Sequence, residues 1–117
     1  ENLALRRIYR SMMHGVSIYY VPEAMAASSE ELPSREGKGC SIKMTPSRAE
    51  PDQIYIIIEF SGDDWLTSTT LVVCDADVNC IRFPLPEIRD GVAQIIAERD
   101  DDLVRLLRNP KSEIFIR

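Results

Sequence analysis

At 117 residues, with 14 Lys and Arg against 19 Asp and Glu for a net charge of −5, the chain suits one domain and speaks against a nucleic-acid partner, because neutralising phosphates takes clustered basic side chains. Hydrophobic residues at 44% and charged residues at 28% give an ordinary globular composition, and no apolar run approaches the roughly 18 residues that a membrane-spanning helix takes. Three cysteines, an odd number, fit a reducing compartment slightly better than a fully paired secreted framework, which leans toward the cytoplasm.

The clearest helical signal spans residues 5 to 16. Leu5, Ile8, Tyr9, Met12, Met13 and Val16 fall at i, i+3, i+4, i+7, i+8 and i+11, which draws one apolar stripe. Arg6, Arg7, Arg10 and His14 occupy the other side, and Gly15 is placed to end the helix. "SIYYVP" reads as a short strand or connector. Pro22 then suits the first position of a second, alanine-rich helix that stops before Pro33. "AMAA" resembles a small-residue cleavage site, but no continuous apolar core precedes it, so it is not read as a signal peptide. Residues 33–39, "PSREGKG", read as a loop dividing a helical N-terminal third, 1–33, from a strand-rich remainder, 40–117.

From Cys40 the period changes. "CSIKM" alternates, and "QIYIIIEF" at 53–60 is an apolar, β-branched run of the kind expected in a central strand covered on both faces. "SGDDW" signals a turn before a strand at 67–74, and "CIRFPL" is expected to pair back on it across "DADVN". Pro84 and Pro86 cannot donate to a ladder, which places that strand at a sheet edge. "IRDG" is a turn and "VAQIIAE" a strand. Asp100 is the expected N-cap of a helix over 101–108, with Leu103, Val104, Leu106 and Leu107 buried, and "EIFIR" returns as a last strand.

The pattern predicts an α+β fold: one mainly antiparallel sheet of four to six strands, centred on 53–60 and 67–74, with an N-terminal and a C-terminal helix packed on one face. Residues 1–117 form a single domain on this reading, one whose ends look excerpted from a longer protein.

"CDADVNC" at 74–80 is the stretch richest in chemistry. Asp75, Asp77 and Asn79 match the first three ligand positions of a calcium loop, but the glycine and the bidentate glutamate that such a loop needs are Cys80 and Pro86. Zinc would need Cys40, Cys74, Cys80 and His14 to converge, and a five-residue interval between cysteines lacks the usual spacing. A hairpin with a five-residue loop would instead set Cys74 opposite Cys80, at disulfide distance, leaving the loop acids to shape the turn. A nucleophilic triad would have to run through the lone histidine, His14, which sits among arginines. The carboxylate pairs Asp63-Asp64 and Asp100-Asp102 read as turn and capping residues rather than an acid–base pair.

No cofactor motif and no coherent catalytic set emerge. The sequence therefore points to a non-catalytic protein-interaction or regulatory domain whose partner is another protein or a second copy. Its expected contact residues are Arg6, Tyr9, Arg10 and Met13 on the first helix, with Arg82 and Phe83 at the proline-broken edge. Two alternatives stand beside it. One is a small-ligand domain or enzyme with an acidic pocket formed by Asp63, Asp64, Trp65 and the 75–79 loop; the other is an exported accessory protein with a Cys74–Cys80 disulfide.

Overall fold

The computed structural model describes residues 19–21, 23–24, 34–67, 70–75 and 79–117. In chain order these form β1 (Tyr19–Val21), β2 (Glu23–Ala24), β3 (Arg35–Gly37), β4 (Cys40–Pro46), β5 (Gln53–Phe60), a 3-10 turn (Asp64–Thr67), β6 (Thr70–Cys74), β7 (Cys80–Pro84), β8 (Val92–Glu98), α1 (Asp102–Arg108) and β9 (Glu113–Ile116). The strands make two antiparallel sheets, a four-stranded one in the order β1-β9-β6-β7 and a five-stranded one in the order β2-β3-β4-β5-β8.

Alternation along each strand builds a single core between the sheets. Ile54, Ile56 and Ile58 of β5, Ile42 and Met44 of β4, and Ala93 and Ala97 of β8 meet Leu71, Val73, Ile114 and Ile116 of the four-stranded sheet in one buried cluster. A fully buried isoleucine contributes roughly 1.5–3 kcal/mol, so β5 alone supplies a large share of the driving force. Leu103, Val104, Leu106 and Leu107 of α1 join the same cluster.

The expected α+β arrangement is therefore corrected to a mostly β fold with one short helix among the described residues. The strands around 53–60 and 67–74 are not neighbours in one sheet; β5 lies between β4 and β8, and β6 lies between β9 and β7. The physical reason is that period-2 alternation specifies an inward face without specifying which sheet supplies the opposite wall. β5 buries Ile54, Ile56 and Ile58 on its inward face and leaves Tyr55 and Ile57 half-buried on the other. The helix expected over 5–16 lies outside the described residues. Of the second expected helix, Glu23–Ala24 is strand β2 and the remainder lies outside them.

The expected loop at 33–39 contains β3, which pairs with β4 through a two-residue connection, Gly37 opposite Cys40. Gly39 permits this turn at φ +79. The stretch looked like a loop because its one inward side chain is charged. Arg35 is nevertheless 1% exposed. Gly37 marks where β3 passes close to the other sheet: a Cβ there would lie 2.5 Å from the Tyr20 carbonyl oxygen.

Helix α1 starts one residue later than expected. Asp101, not Asp100, is the N-cap, and its carboxylate accepts from the Leu103 N–H at 3.0 Å. Its C-terminal end is closed from across the fold. Arg35 donates from Nε to the Leu107 carbonyl at 2.9 Å, from Nη1 to the Ser112 carbonyl at 2.9 Å, and from Nη2 to the Asn109 carbonyl. The Leu107 and Asn109 carbonyls are ones that a helix end leaves without intrahelical partners, the Ser112 carbonyl belongs to the turn into β9, and the cation sits at the negative end of the dipole. Burial pulls the guanidinium pKa below its ordinary value.

The two sheets differ in what lies on their outer faces. On the four-stranded sheet Val72, Cys74 and Phe115 are buried on the side away from the main core, with Tyr20 and Cys80 packed against them. The Tyr20 ring stacks on Phe115 at 5.1 Å, and its hydroxyl donates to Glu113 Oε2. Among the described residues nothing packs over the outer face of the five-stranded sheet, where Val92 and Ile96 are exposed.

Candidate functional site

That open face follows from register. β8 turns Ala93, Ile95 and Ala97 inward, so Val92, Gln94, Ile96 and Glu98 point out. Pairing sets Tyr55 of β5 opposite Ile96, Ile57 opposite Gln94, and Glu59 opposite Val92. On the far side of β5, Thr45 lies opposite Tyr55, Lys43 opposite Ile57, and Ser41 opposite Glu59. Val92 and Ile96 are 39% and 57% exposed, and half-buried Tyr55 and Ile57 lie between them on the neighbouring strand. The result is an apolar strip along two strands with charged residues around it. Apolar side chains thus stand at the centre of the face and polar ones around it.

The rim carries both signs, with Glu36, Lys38, Lys43, Glu59 and Glu98 all exposed. Glu59 pairs with Lys43 at 3.8 Å across β4 and β5, both side chains about half exposed. Glu36 stands opposite Ser41, and Glu23 opposite Glu36, extending the same row. Glu98 is exposed at the far end of β8.

Beside this face runs the free side of β8. The bonds Phe60 N–H to Gly91 O and Arg99 N–H to Asp52 O, both 2.7 Å, set the odd-numbered residues of β8 toward β5. The even-numbered ones face outward. Val92 is closed off there by two bonds with Arg89, at 2.9 and 3.0 Å, and the Glu98 carbonyl accepts from the Asp101 N–H at 3.0 Å. Among the described residues, the backbone groups of Gln94 and Ile96 have no partner on this side. The Arg89–Val92 turn carries Asp90 at φ 52 and Gly91 at φ 76, the two positive values that a tight hairpin turn of this hand requires. A long open edge is thus reduced to a short one, a common defence against indiscriminate strand pairing.

The structure distributes the sequence-predicted residues widely. Arg6, Tyr9, Arg10 and Met13 lie outside the described residues. Arg82 is exposed on β7, whereas Phe83, its neighbour, turns inward and packs against the main core. Cys74 and Cys80 face each other across β6 and β7, Cα atoms 4.0 Å apart, and are joined in a disulfide. The adjacent backbone bond from Asp75 to Asn79 makes theirs a non-hydrogen-bonded pair, the closest approach that antiparallel strands offer. Asp75 accepts from the Asn79 N–H at 2.9 Å and from Asn79 Nδ2 at 3.3 Å, so its oxygens shape the turn.

Of the expected acidic pocket, residues 76–78 and the Asp64 side chain lie outside the described part, which leaves Asp63 and Trp65 beside the turn residues Asp75 and Asn79. The Trp65 indole N–H donates to the Gly62 carbonyl at 2.8 Å, and Asp63 is exposed. Among the described residues, one concavity of about 260 Å³ is bounded by Glu36, Ser41 and Glu59 on the outer sheet face, and another of about 390 Å³ by Asp52, Glu98, Arg99 and Asp100. Cys40 is buried, and desolvation pushes its thiol up to about 12, which leaves it without nucleophilic character at neutral pH. Among the described residues no group of three His, Cys, Asp or Glu side chains is placed to hold a metal ion, and no helix is long and apolar enough to cross a membrane.

Sequence reasoning missed Tyr55, Ile57, Val92 and Ile96 as a surface. The signal was present as alternation in "VAQIIAE", where small alanines mark the inward side and larger Val92 and Ile96 the outward one. Their union with β5 depends on register, which a single strand does not contain. The chain matches no known family model, no curated protein and no solved structure.

Proposed function

We propose that this chain is a non-catalytic protein-interaction domain that uses the outer face of its five-stranded sheet. The observation that supports this reading is the juxtaposition of Val92 and Ile96, exposed at 39% and 57%, with Tyr55 and Ile57 on the adjoining strand. Burying such side chains in a partner gains free energy that burying surface lysine or glutamate does not. The buried, inert Cys40 and the turn role of Asp75 take two candidate chemical groups out of use.

The test compares wild type with Ile96→Asp, by sedimentation over a concentration series and by affinity capture from the source organism. A self-associated or captured species that is lost on substitution supports the reading. A strictly monomeric chain with an unchanged capture pattern overturns it.

The exported-accessory reading stands second, favoured by the Cys74–Cys80 disulfide. Persistent disulfides belong to oxidising compartments. It is compatible with an interaction role and concerns where that role is exercised. Alkylation of the protein in intact source cells, followed by mass measurement, distinguishes a bonded pair from two free thiols.

A further inference from the structure

We draw no further inference here: the strongest candidate, the apolar strip of Val92 and Ile96 beside Tyr55 and Ile57 on the outer face of the five-stranded sheet, belongs to the surface already described, and nothing in the structure shows what covers it.

Discussion

Arg35 donates from Nη1 to the carbonyl oxygen of Ser112 at 2.9 Å, tying together positions 77 residues apart in the chain. With its bonds to Leu107 and Asn109 it fixes the C-terminal end of α1, and the turn into β9, against the second strand of the other sheet. Arg35→Ala leaves two buried carbonyls and one part-buried carbonyl short of a donor, and a loss of about 3–5 kcal/mol is expected in denaturant unfolding. Arg35→Lys keeps the charge but loses the planar fork, so it should recover only part of the difference.

Gly37 tests the same corner of the fold by a different route. A methyl group at this position meets the Tyr20 carbonyl oxygen at 2.5 Å, and backbone rather than a flexible side chain would have to move. Gly37→Ala should cost about 1–3 kcal/mol by overpacking, read as a lower unfolding midpoint with an unchanged denaturant slope.

The Cys74–Cys80 bond closes a short loop, so its contribution on the chain-entropy model is about 2 kcal/mol. Reduction should lower stability by that amount without unfolding the chain, because the main core does not depend on it. Mass measurement after alkylation should show no modification of the native oxidised protein, and three modified cysteines after reduction and denaturation.

Cys40 gives the pH dependence. Its thiol is pushed from an ordinary 9.0 up to about 12 in the folded chain by burial. The folded pKa is raised, so the unfolded chain loses this proton first. The associated stability is fully present below pH 9 and is lost as pH climbs toward 12, at about 1.4 kcal/mol per pH unit. Other groups titrate in this window, so the comparison is with Cys40→Ala, whose stability should fall less steeply across it.

Ile96 separates folding from binding. Its side chain is 57% exposed, and Ile96→Ser should change stability by no more than about 0.5 kcal/mol. A larger loss would mean that the strip is a structural part of the sheet and not a surface held open for a partner.

The strands from Cys40 onward were legible because local patterns specify them. "QIYIIIEF", the hairpin across 75–79, the Asp90-Gly91 turn and the Leu-rich helix each carry their own signal. The layering was not legible, since the apolar residues of β5 and β6 read the same whether the two strands lie side by side or face each other. β3 was missed for a related reason: Arg35 occupies an inward position that sequence patterns assign to apolar residues, and its partners lie at Leu107, Asn109 and Ser112. The candidate surface needed the pairing of Tyr55 with Ile96, a fact about register. Of the residues first expected to bind, Phe83 turned out to face the core, whereas Arg82 is exposed.

The most direct measurement is photo-crosslinking in the source cell from a benzophenone side chain at position 96, with position 105 on the exposed side of α1 as the comparison. The account predicts an adduct from position 96 and none from position 105. Equal adducts from both positions, or an adduct from 105 alone, would contradict it.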